Sequence, residues 1–146
     1  MNAPAAQPTF PTVRLLLATG ITSVVLLATA TLAKVGAEWS ALFYQSVALG
    51  LASASLAHVA GILAGGYFAS VQRGAAGPMT AYLASTVVRF IGAPTLALSL
   101  YFALPTEPKP LLIGAGAGYL LILVVDLATM LKVMSGGAGS SSTPRA

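Results

Sequence analysis

Four apolar runs, each long enough to cross a bilayer and separated by short turns rich in breakers and charge, leave this chain one class of fold. The runs are residues 15–33, 43–70, 79–104 and 110–131. A hydrocarbon core about 30 Å thick takes about 20 apolar residues as a helix. In lipid each backbone N–H and C=O must be satisfied within its own segment or by a closed barrel, and runs of this length suit helices. Charge points the same way. Only 7% of the 146 residues are charged and 57% are hydrophobic, whereas a soluble domain carries about 25% charged residues. The sequence therefore predicts an all-α integral membrane four-helix bundle, built as two helical hairpins. One transmembrane domain, residues 14–134, is expected between a flexible N-terminal tail at 1–13 and a disordered Gly/Ser C-terminal tail at 135–146. No length remains for a soluble catalytic domain.

The first run lies between Arg14 and Lys34. An A-x-A at Ala28–Ala30 raises a cleaved signal peptide, but the run is longer than a typical signal core, and thirteen residues precede its single positive charge. It reads as the first helix. Lys34, Gly36, Glu38 and Trp39 make a polar turn, with Trp39 suited to the interface. The second run is dense in small residues from Gly50 to Gly65. Lipid offers no hydrophobic force between helices, so close backbone approach holds them together, and small residues permit it. Two G-x-x-x-G spacings, Gly61–Gly65 and Gly114–Gly118, mark expected packing faces. Pro94 removes a donor inside the third helix and should kink it.

Orientation follows from basic residues near helix ends. Arg14, Arg73, Lys132 and the distant Arg145 fall on one side, Lys34 and Lys109 on the other. Both termini are expected in the cytoplasm of a bacterial inner-membrane protein. The formal net charge of +4 thus serves helix orientation and anionic headgroups of the lipid bilayer, not nucleic acid.

Three ionisable residues lie inside apolar runs: His58, Arg89 and Asp126. A charge at mid-bilayer costs about 2.5–3.5 kcal/mol on insertion scales, so such residues face inward and find partners. At 1.5 Å per residue, Arg89 sits roughly 15 Å, Asp126 roughly 9 Å and His58 roughly 18 Å from the cytoplasmic ends of their helices. Helical side chains lean toward their own N-terminus. Arg89 therefore leans toward the cytoplasm and Asp126 toward mid-bilayer, and the two converge on an ion pair. Their stripes are polar or small: Tyr82, Ser85, Thr86 and Gly92 with Arg89; Ser55, Gly61 and Gly65 with His58; Tyr119 and Thr129 with Asp126. Two readings stand. Arg89–Asp126 is a structural clamp, or the three residues form an ion or proton path or a polar patch for another membrane subunit.

Other chemistry lacks its parts. There is no cysteine, no paired carboxylate inside the membrane, no G-x-S-x-G and no phosphate loop. One His and one Asp fall short of the four ligands of a closed metal site. No catalytic residue, metal or cofactor is expected.

Three segments carry a family resemblance. Gly50-Leu-Ala-Ser-Ala-Ser-Leu-Ala-His58, Val88-Arg89-Phe90-Ile91-Gly92-Ala93-Pro94, and Gly118-Tyr119 through Asp126 resemble the ATP synthase protein I family, small four-helix membrane proteins encoded with rotary ATP synthases. The likeness covers about two thirds of the chain. Where that family often has Glu three residues before the basic position, this chain has Thr86. The resemblance implies a non-enzymatic accessory subunit that aids rotor-ring assembly, with a proposed part in magnesium supply and membrane subunits of ATP synthase as partners. The rival expectation is a small oligomeric ion or solute transporter or channel using His58, Arg89 and Asp126, with a homo-oligomer as its form. A structural subunit of another membrane complex is a third.

Overall fold

The computed structural model describes residues 10–71 and 77–138. Its four helices are α1 (Thr12–Gly36), α2 (Ala41–Val71), α3 (Gly77–Ala103) and α4 (Pro108–Ala138). All four are long and apolar enough to cross a membrane. At 1.5 Å per residue the 25 residues of α1 span about 38 Å, enough for the hydrocarbon core with both ends among headgroups. This is a multi-pass membrane protein.

Local chemistry sets the helix ends a few residues beyond the apolar runs. α2 starts before Phe43 because Ser40 caps it, its Oγ accepting from the Phe43 N–H at 3.1 Å. α4 takes up Pro108 and Pro110 in its first turn, where a missing N–H costs nothing. The Glu107 N–H ahead of it donates to Ser46 Oγ on α2 at 2.8 Å. α1 runs past Lys34, a cation favoured in a last turn, and closes with the Trp39 N–H on the Lys34 carbonyl at 3.2 Å. That closure places Glu38 in the left-handed region, φ 51°, a position glycine normally takes. α3 ends at Ala103, since the residue before Pro105 is pushed out of helical geometry. The helix runs unbroken through Pro94.

Two boundaries of the expected domain need correction. Residues 135–138, assigned to the disordered tail, continue α4, because extending a formed helix adds one hydrogen bond for each residue fixed. At the other end, Phe10 is buried against Leu15, Ile62 and Ala81, and Thr12 and Val13 are already helical. The apolar ring of Phe10 gives the last part of the expected N-terminal tail a reason to pack. Residues 1–9, 72–76 and 139–146, with Arg73 and Arg145 among them, lie outside the described residues.

α2 is the hub. It packs on α3 and α4 most extensively and also on α1; α1 touches α4, and α3 meets α4 only sparingly. In cross-section the bundle is a diamond with α2 and α4 on the short diagonal and α1 and α3 at the far corners. The α3–α4 hairpin is therefore held together mainly through α2. Glycine makes the diagonal short. A Cβ at Gly50 would run into the Leu111 carbonyl oxygen and sit 2.6 Å from the Ala115 nitrogen, both backbone atoms that cannot move aside. Gly114 meets the Val47 carbonyl in the reciprocal way, and Gly118 fits against Leu51 and Ala54. Hydroxyl pairs tie α1 to α2, Ser23 to Ser55 at 2.8 Å and Thr31 to Tyr44 at 2.9 Å. The outer faces carry large exposed apolar side chains, among them Leu32, Phe90 and Phe102, as lipid contact requires. The end that holds the α1–α2 and α3–α4 turns, here the loop end, carries Trp39, Phe43, Tyr44, Tyr101 and Phe102. Trp39 packs on Phe43, and Lys34 Nζ lies 4.8 Å from the centre of the Tyr44 ring.

Candidate functional site: a buried ion pair where the four helices meet

Arg89 and Asp126 meet on the inner face of the bundle. Arg89 Nη1 donates to Asp126 Oδ2 at 2.5 Å, and each residue is 1% exposed. This is the convergence that the opposite leans of α3 and α4 favour. Every helix contributes. Thr19 of α1 directs its hydroxyl at the other carboxylate oxygen, Oδ1, at 3.4 Å. From α2, Gly61 supplies a groove for the arginine stem: a Cβ there would overlap Arg89 Cγ and lie 2.8 Å from Arg89 Nε and 2.7 Å from the Ser85 carbonyl. The Gly61–Gly65 face therefore serves α3 twice over. It lets a long side chain pass, and at Gly65 it brings Ala81 and Ser85 close.

His58 is buried too, but it makes no hydrogen bond to the pair. Its Nδ1 lies 2.9 Å from the Ala54 carbonyl one turn back, which assigns Nδ1–H as donor and Nε2 as acceptor. Its ring packs on Tyr119 of α4, centroids 5.0 Å apart. His58 Nε2, Ser85 Oγ and Arg89 Nε and Nη2 make no hydrogen bond among the described residues. Thr86, read as part of the Arg89 stripe, bonds back to the Tyr82 carbonyl, and Thr129 likewise to Val125.

Sequence reasoning missed Thr19. The signal was present: Leu15, Thr19 and Ala30 are the buried residues of α1, and Ser23 continues the stripe, so the rule used on the other helices would have found it. Gly50 was seen as one small residue among many, because its closeness to α4 depends on which helix lies opposite.

Buried apolar side chains lie on both sides of the pair, together with the buried hydroxyls of Ser46, Ser53 and Ser85. Toward the end bearing the termini lies the cluster of Phe10, Leu15, Ile62 and Ala81. Toward the loop end, Ile122 and Leu111 of α4 are fully buried, as are Ala93 and Ala97 of α3. No group of three or more potential ligands that could hold a metal ion occurs among the described residues. Chemically, this is a desolvated, neutralised charge pair, suited to fixing the relation of three helices.

No protein-family model matches the chain, and no curated protein or solved structure matches it.

Proposed function

We propose that this protein is a non-enzymatic accessory subunit of the bacterial inner membrane, with both termini cytoplasmic, that assists rotor-ring assembly of a rotary F-type ATP synthase. The observation that carries the non-transporting part is that, among the described residues, no hydrogen-bonded chain leads from Arg89 and Asp126 to either end of the bundle. A permeation path needs polar groups or water leading from an intramembrane charge to each surface. Here Ser53 and His58 bond back to their own helix, Ser85 Oγ makes no hydrogen bond among the described residues, and Phe10, Leu15 and Ile62 pack on the side of the termini. A bundle this small, whose buried Arg89–Asp126 pair locks its own helices, offers partners its outer surface. The resemblance of residues 50–58, 88–94 and 118–126 to the ATP synthase protein I family supplies the identity of the partner.

Co-purification tests both parts. Tagged protein, extracted in mild detergent, should bring down rotor-ring subunits, and deletion of its gene should lower the amount of assembled ring on native gels. Purification as a homo-oligomer alone, together with ion flux in liposomes that Asp126→Asn abolishes, would overturn the proposal in favour of a transporter.

A further inference from the structure

α3 and α4 touch only sparingly and leave a groove of about 730 Å³ between them. Its rims are bulky side chains, Phe90 and Leu98 on α3 and Leu112 and Leu120 on α4, with Gly116 leaving a gap between the last two, and its floor is small, with Ala93, Ala97 and Ala115. The rims face the lipid: Phe90 is 71% and Leu112 66% exposed. Along α3 the groove extends from Phe90 to Tyr101, about 16 Å at 1.5 Å per residue. That is one leaflet of a hydrocarbon core about 30 Å thick. Its inner end stops at Tyr119, whose ring packs against His58. Its mouth is at Pro108, and the next residue is the exposed Lys109. The neighbouring acidic residue, Glu107, has its backbone tied to Ser46 on α2.

We infer that this groove holds one acyl chain of an anionic phospholipid from the leaflet at the loop end, with Lys109 against its phosphate. The length of the groove is that of a single leaflet, its walls are apolar, and of the two charged residues that flank Pro108 the exposed one is the cation Lys109, while Glu107 is half-buried. A membrane-facing apolar cleft of this shape is filled by lipid tails, and the headgroup is what the mouth can choose. This inference does not depend on the proposed partner complex.

The full chain, purified in mild detergent, is titrated with phosphatidylglycerol or phosphatidylcholine and examined by native mass spectrometry. The wild type should retain one phospholipid and prefer phosphatidylglycerol. Gly116→Phe should weaken retention at least about tenfold with helix content and melting unchanged, because a Cβ at Gly116 meets nothing within 4 Å. Should Gly116→Phe fail to fold, Gly116→Cys alkylated with a bulky maleimide after purification serves in its place. Lys109→Gln should keep the lipid but reduce the preference for phosphatidylglycerol about fivefold, as ~1 kcal/mol per basic residue near an anionic surface gives. Retention unchanged by the filled groove overturns the inference. So does a preference unchanged by Lys109→Gln, or efficient Gly116→Cys disulfide dimers in native membranes without retained lipid, which would make a second helix the occupant.

Discussion

At Arg89 and Asp126 the cost of burial decides the energetics. Two charges taken out of water recover that cost only while both are present. Arg89→Ala or Asp126→Ala alone strands its partner among apolar side chains and should destabilise the protein by about 3–5 kcal/mol. The double mutant should lose less than the sum of the two, the mark of a coupled pair. The exchange Arg89→Asp with Asp126→Arg should restore part of the loss, incompletely, because the Gly61 groove fits an arginine stem arriving from α3. Unfolding by denaturing detergent checks all four variants, and strictly additive losses would contradict the coupling. Thr19→Val should cost far less, about 0.5 kcal/mol, since its 3.4 Å contact is long for a hydroxyl donor. Glu38 offers the opposite case. It occupies a left-handed conformation that costs an L-residue about 1–2 kcal/mol and glycine nothing. Glu38→Gly should therefore raise stability by about 1 kcal/mol in the same assay.

Between helices, backbone approach takes over from individual side chains. α2 lies against three neighbours, and seven of its eleven buried positions are Gly, Ala or Ser, with Val47 and Leu51 set against glycines of α4. Gly50→Ala and Gly114→Ala each force backbone apart on the α2–α4 diagonal and should cost about 1–3 kcal/mol, the usual range for overpacking. Gly116→Ala and Gly20→Ala add a methyl group to open space. They should be neutral or gain up to about 1 kcal/mol from helix propensity. If all four substitutions cost the same, the small residues of α2 and α4 are not packing residues. Ser46→Ala belongs here as well, since it removes the acceptor holding the start of α4 to α2. A cost of about 1 kcal/mol is expected.

For the whole molecule, the arrangement of helix ends fixes which positions share a membrane face. Ala37 and Pro105 are exposed in the two turns at the loop end, and residue 140 follows α4 at the other end. Cysteines placed at Ala37 and Pro105 should label from one side and a cysteine at Ser140 from the opposite side. Periplasmic labelling at the first two would agree with the basic residues, which favour cytoplasmic termini. Labelling of Ser140 and Pro105 from the same side would remove the four-span topology, and with it the depths assigned to Arg89 and Asp126.

The sequence by itself determined the class of fold and the inward faces. Twenty-odd apolar residues in a row have one stable form in lipid, and a charge among them has one tolerable direction, so four helices and the buried positions of His58, Arg89 and Asp126 could be read without coordinates. Helical lean even brought Arg89 and Asp126 together, because it follows from chirality and chain direction alone. Only the tertiary structure decided what each inward face meets. It set α2 against α4 and left α3 and α4 apart, put Thr19 beside the carboxylate, turned the His58 Nδ1 to its own helix, and opened the groove above Tyr119. Those outcomes depend on which small residues face which backbone across the bundle. That is a property of two helices at once, and no periodicity within one of them records it.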